Sequence, residues 1–220
     1  MSQRLYVICT LERSGSTYLC WLLRSTGVMG DPQEWYKKNV NSRYRALSKY
    51  GLAYLQCLAD DTATANGVFG ANVKLGCLGR FGVIAQWPAV RKQFSPQMIW
   101  LRRRDKLRQA ISRYRAKQTD EWSKPITAPL SYPPQFDAAE IWRNYDLLVA
   151  WDTGWERTFR RLAVCPREVW YEEILADPQA AVDAICRLVD VKAPRVDVGR
   201  CPLAVQRDEV TEMWARRLSA

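Results

Sequence analysis

Residues 4–10, RLYVICT, form a short apolar run that leads into Glu12-Arg13-Ser14-Gly15-Ser16-Thr17, and Leu19, Leu22 and Leu23 follow at helical spacing. A strand that ends in a Gly-containing turn and passes straight into a helix aims free N–H groups and a partial positive charge at whatever occupies the turn. Arg13 adds a planar fork suited to an oxyanion, and Ser16 and Thr17 add hydroxyls. The pattern G-x-x-x-x-G-K-[ST] is absent, so this is not the loop of an ordinary nucleoside-triphosphate site. The same residues would also make a plain β–α turn with Ser16 as its N-cap.

A second basic element follows residues 97–103, QMIWLRR. Arg102, Arg103 and Arg104 stand at the end of an expected strand, and Asp105 caps the next helix. On that helix Arg108, Ser112 and Arg115 share one polar face. A strand-end arginine with a helix serine suits a second phosphate; a solvated basic face is the alternative reading. The chain has no histidine, which removes histidine-based triads and most transition-metal sites. A proton acceptor must then come from a carboxylate, Lys, Tyr or Cys. Glu34, in the loop sequence GDPQEWY after the first helix, is placed to face an acceptor and, ionised at neutral pH, to accept a proton; a solvent-exposed loop glutamate is the alternative reading. Lys74 reads equally as a charge stabiliser or as a solvent-facing strand lysine. Trp35, Tyr36 and Trp122 read equally as stacking platforms or as core.

These residues need a scaffold that delivers strand ends to one place. Strands are expected at 4–10, 67–75, 97–103 and 167–174. Helices are expected from the first turn to Gly27, over 42–60 with Ser42 as N-cap, and over 105–118, 137–162, 178–189 and 208–218. Residues 123–134, with four prolines, read as an irregular loop. Strands alternating with helices predict one α/β domain over residues 1–220, a mostly parallel sheet flanked by helices on both faces.

A chain of 220 residues buries roughly 70% of its unfolded surface without staples. Lys and Arg exceed Asp and Glu by 33 − 23 = 10, which suits an anionic partner. Seven cysteines, an odd number, stand without a C-x-x-C pair, and Cys9, Cys20 and Cys186 fall inside expected elements. Reduced thiols in a cytoplasmic protein are expected, with no zinc site. No apolar run reaches the ~18 residues of a membrane span, so no transmembrane segment is expected.

The two basic elements together resemble the bacterial sulfotransferases that use 3′-phosphoadenosine 5′-phosphosulfate (PAPS), nearest to the trehalose 2-sulfotransferase and lipopolysaccharide-sulfotransferase-like family. RSGSTYLCWLLRSTGVMGDPQEWY is similar to that family's N-terminal signature, DKLRQAISRYRAKQTDEW to its second, GVFGANVKL to its Lys-Leu strand and DEVTEMWARR to its last helix. The resemblance implies a P-loop-like fold and transfer of a sulfuryl group from PAPS to a hydroxyl of a carbohydrate, glycolipid or similar small acceptor. It implies that Arg13, Ser14, Gly15, Ser16 and Thr17 hold the 5′-phosphosulfate, that Arg13 stabilises the leaving group, and that Arg103 and Ser112 hold the 3′-phosphate, with Arg104 the rival for Arg103. It points to Glu34 as base, to no required metal, to no nucleic-acid partner and to a homodimer. Val205 departs from the family, which often has Arg there, and Arg207 is the nearby substitute. A small nucleotide kinase and a basic nucleic-acid-binding module are the alternatives.

Overall fold

The computed structural model describes residues 3–35, 46–47, 50–80, 82–122, 134–203 and 209–219. Strand β1 (Arg4–Thr10) is buried from Leu5 to Thr10, as its unbroken apolar run requires of a strand covered on both faces. It lies between β2 (Val68–Lys74) and β3 (Gln97–Arg102), and β4 (Arg167–Trp170) completes a sheet of order β2-β1-β3-β4. Every pairing is parallel. The chain therefore leaves β1 in one direction to reach β2, then returns past β1 to β3. That reversal opens a crevice between the C-terminal ends of β1 and β3, where open α/β sheets bind ligands.

Helices cover both faces. On one, α1 (Ser16–Ser25) presents Leu19, Leu22 and Leu23 to Tyr6, Ile8 and Ile99, beside α7 (Tyr171–Ala176) and α8 (Pro178–Leu188). On the other lie α2 (Gly51–Thr62), α3 (Cys77–Arg80), α4 (Trp87–Phe94), α5 (Lys106–Thr119), α6 (Ala138–Leu162) and α9 (Glu209–Ser219), packed on Val7, Cys9, Phe69 and Trp100. Trp155 of α6 is fully buried and stacked on Phe159 at 5.4 Å. Its indole N–H donates to the Thr10 carbonyl at 3.2 Å, tying the longest helix to the end of β1.

Side-chain caps set three helix starts. Asp105 accepts from the Arg108 N–H at 2.9 Å, Asp137 from Glu140 at 3.0 Å and Asp177 from Ala180 at 2.9 Å. The expected helix starts near 105, 137 and 178 agree with these caps to within one residue. No described helix is long and apolar enough to cross a membrane.

The fold departs from the sequence reading in three places. The expected helix over 42–60 is interrupted: Leu47 lies in a turn and α2 starts only at Gly51, with Tyr50 as its N-cap, and runs to Thr62. The expected strand 167–174 ends at Trp170, and α7 begins at Tyr171. The acidic residues of its first turn, Glu172 and Glu173, suit a helix N-terminus, and Glu172 accepts from the Arg104 and Asp105 N–H groups at 3.1 and 3.3 Å. An apolar run alone does not reveal that change of period. The helices α3 and α4 between β2 and β3 are additions to the expected set, although Trp87, Val90 and Phe94 carry helical spacing. Ser42, Tyr36, most of the Pro-rich stretch, Val205 and Arg207 lie outside the described residues.

Candidate active site

The loop after β1 has unusual backbone geometry. Arg13 and Gly15 both have positive φ, 59° and 82°. Gly15 occupies the N-cap position of α1 with no side-chain cap, so the first-turn N–H groups are available to an anion. A Cβ on Gly15 would stand 2.2 Å from a carbon of the Tyr171 ring. Glycine is required there both by conformation and by the ring at its back. Gly15→Ala should therefore lower stability by roughly 2–4 kcal/mol, from the left-handed backbone and the displaced ring together. Adding Tyr171→Ala should return part of the lost melting temperature; no recovery would show that the ring is not the obstacle.

Ser14 is buried, and its hydroxyl donates to the Leu11 carbonyl at 2.8 Å and meets the Thr10 hydroxyl. What Ser14 offers an anion is its backbone, not its side chain. Ser16 is buried with its hydroxyl 3.4 Å from Lys74 Nζ, and Thr17 is exposed.

Arg13, Arg103 and Lys74 bring positive charge to this loop. The Arg13 fork donates Nε–H to Ser112 Oγ at 2.8 Å and a second N–H to the Trp122 carbonyl. Arg103 donates to the Arg13 carbonyl at 3.2 Å and lies over the Tyr171 ring at 5.0 Å. Arg104 turns away, to Glu173 on α7. Lys74 is paired in register with Thr10, at the level where the loop begins, and its Nζ lies 3.4 Å from the Leu11 carbonyl. The loop thus has a lysine after all, supplied by the neighbouring strand. Burial first, and Arg103 second, push the Arg13 guanidinium down to about 10. It remains a cation at neutral pH, and a bound anion would offset both penalties.

Glu34 comes to the same place by a different route. The Asn72 N–H donates to the Gln33 carbonyl at 2.9 Å, laying the 31–35 segment along β2. The Trp35 indole donates to the Asp31 carbonyl at 2.8 Å, and the Tyr54 hydroxyl to the Trp35 carbonyl at 2.6 Å. So held, Glu34 places Oε1 3.2 Å from Lys74 Nζ. Lys74 bridges the cradle, at Ser16, to the carboxylate.

Arg13, Ser14, Gly15 and Ser16 form the loop and the start of α1, Arg103 and Ser112 bond to Arg13, and Glu34 pairs with Lys74 beside them; Thr17 lies exposed in the first turn of α1. The rest of the basic face of α5 does other work. Arg108 makes a fork-to-fork pair with Glu212 at 2.9 and 2.6 Å, and Arg115 donates to Thr211 at 2.6 Å. These arginines dock α9 onto α5. Among the described residues no cluster of three His, Cys, Asp or Glu side chains suits a metal ion. Tyr171 is a site residue that the sequence reading misses, because it falls inside the expected strand 167–174. The signal available is its place at the C-terminal end of a parallel strand.

Comparison with known proteins gives the family. The sequence model described as Stf0 sulphotransferase matches residues 5–220. A trehalose 2-sulfotransferase of Mycolicibacterium smegmatis is 23% identical over 256 residues, spanning 96% of this chain and 93% of that protein. Among solved structures, a sulfotransferase from Alicyclobacillus acidocaldarius overlays on 100% of this chain and 92% of its own at a TM-score of 0.56 and 12% identity, which is a likeness of fold. A strand–loop–helix turn at the switch point of a P-loop-like α/β sheet thus coincides with a family match over nearly the whole chain, and the protein belongs to the Stf0 sulphotransferase family, whose members are sulfuryl-transferring enzymes.

Proposed function

We propose that the protein transfers the sulfuryl group of PAPS to a hydroxyl of a carbohydrate, glycolipid or similar small acceptor, with Glu34 as general base. The observation that carries this reading is the meeting of Arg13, Arg103 and Ser112 at one loop while Glu34 stands across Lys74 from the same loop. The uncapped start of α1 and the bare Gly15 fit a phosphosulfate, and Arg103 and Ser112, which both bond to Arg13, fit the additional 3′-phosphate.

The donor supplies an activated S–O bond to a good phosphate leaving group. The acceptor oxygen forms a new bond to sulfur as the bond to the bridging oxygen breaks, and the electron pair of that bond stays on the phosphate. Arg13 and the first N–H groups of α1 stabilise the charge that grows there. Glu34 takes the proton of the acceptor hydroxyl. Lys74, between Ser16 and Glu34, lies where it can hold the sulfuryl oxygens and steady the carboxylate in one geometry. Sulfuryl oxygens carry less charge than phosphoryl oxygens, so this arrangement works without a metal. Trehalose as an acceptor of the M. smegmatis relative favours a small sugar or glycolipid here. The chain acts as one domain over residues 1–220, in the cytoplasm where reduced thiols and PAPS coexist, and as a homodimer.

A thermal-shift assay tests the donor. A ligand at ~100 times its Kd that binds only the folded state adds about 2.7 kcal/mol, or roughly 5–10 °C for a chain of this size. Adenosine 3′,5′-bisphosphate in EDTA should give that shift, and AMP a smaller one. In Arg103→Ala the bisphosphate shift should fall to that of AMP. Equal shifts for both ligands in the parent protein would remove Arg103 and Ser112 from the 3′-phosphate. A shift only with ATP and Mg²⁺ would replace the donor reading with a kinase.

A further inference from the structure

Arg13 is a non-glycine residue held in left-handed backbone, an arrangement that persists only where its surroundings impose it. The residue before it shows what does so. The Gln109 amide donates to the Glu12 carbonyl at 2.8 Å, and Arg113 donates Nε–H to Glu12 Oε2 at 2.6 Å. Gln109, Ser112 and Arg113 stand at i, i+3 and i+4 on α5, so one helix face touches Glu12 twice and Arg13 once.

Both grips are backed from α6. Lys106 donates to Gln109 Oε1 at 3.1 Å and pairs with Asp152 at 2.7 Å, which leaves the Gln109 N–H groups facing the loop. Arg113 donates a second N–H to Asn144 and lies over the Trp151 ring at 4.8 Å. Gln109 is fully buried and Arg113 is 8% exposed, so neither relies on solvent. Glu12 also has a charge consequence. Its carboxylate stands one residue from a cradle built for anions, and Arg113 neutralises it there.

We propose that Gln109 and Arg113 are positioning residues that grip Glu12 and thereby aim the Arg13 fork into the cradle. The inference rests on the sulfuryl-donor reading above. Neither residue need touch the donor: they act through Glu12, Gln109 on its backbone carbonyl and Arg113 on its carboxylate.

A double-mutant cycle on the full chain tests this, with adenosine 3′,5′-bisphosphate affinity read by calorimetry. Arg113→Ala and Gln109→Leu should each weaken binding by roughly tenfold when Arg13 is present, and much less when Arg13 is already Ala. Arg113→Lys, which keeps the charge, should recover part of the loss, and added guanidinium ion should partly restore Arg113→Ala. A residue with a merely structural role would give losses that add and no chemical rescue. Should Arg113→Ala not fold, Gln109→Leu alone decides, because it removes the two hydrogen bonds of the amide, to the Glu12 carbonyl and from Lys106, at similar volume and without changing a charge. Additive losses, or unchanged affinity in both single variants, would overturn the inference and leave the donor reading standing. A parent protein that does not bind the bisphosphate would overturn the donor reading, and this inference with it.

Discussion

Glu34→Gln should lower turnover by ~10²-fold or more and leave adenosine 3′,5′-bisphosphate affinity nearly unchanged. Glutamine keeps the size of the side chain and an oxygen for Lys74 at the 3.2 Å position, so the Trp35–Asp31 and Tyr54–Trp35 bonds that hold the segment should survive. What it lacks is a place for the proton. Histidine, the usual proton acceptor near neutral pH, is absent from the whole chain, so a histidine cannot take over the duty. The measurement is single-turnover sulfuryl transfer from labelled PAPS to an acceptor found by screening with the parent protein. Near-normal turnover in the variant would remove Glu34 as base. A fall in bisphosphate affinity equal to the fall in rate would show that Glu34 supports donor binding instead.

Lys74→Met should cost more, about 10²- to 10³-fold in turnover. The ammonium meets Ser16 Oγ and the Leu11 carbonyl at 3.4 Å on the cradle side and Glu34 on the other, so its loss removes a positive charge from between donor and base. Methionine conserves the length of the side chain. Because the two residues touch, Glu34→Gln with Lys74→Met should lose less than the product of the single losses. The decisive comparison is rate against affinity. A lysine that acts at the moment of transfer lowers the maximal rate more than it weakens the bisphosphate, whereas equal losses would make it a ground-state anchor.

Local rules account for much of the molecule. The buried run 4–10 and the turn after it, the capping aspartates at 105 and 137, and the stripe Ile141, Leu148, Trp155, Phe159 and Leu162 all express period, propensity and capping within a few residues. Alternation of strand and helix is enough for a covered parallel sheet. Resemblance of two ordered motifs then points to the family that the full-length match establishes.

Other features depend on residues far apart in the chain, and no local rule reports them. Lys74 has two equal readings in the sequence, into the cradle or into solvent; the parallel register with Thr10 places it at the loop. Arg103 and Arg104 are neighbours of identical chemistry, and only the position of Glu173 on α7 separates the one that reaches Arg13 from the one that does not. Arg108 and Arg115 read as a basic face, but Glu212 and Thr211, about a hundred residues later, take them up. Tyr171 behind Gly15, and Gln109 and Arg113 on Glu12, leave no signal in the local pattern that marks them as serving the loop. The sequence by itself determined most of the strands and long helices and the strand–loop–helix turn after β1, because backbone preference and apolar period act over a few residues. Only the tertiary structure decided which side chains serve that loop, because a guanidinium or ammonium on a long flexible stem takes its role from the partner within about 3 Å of it, and packing chooses that partner.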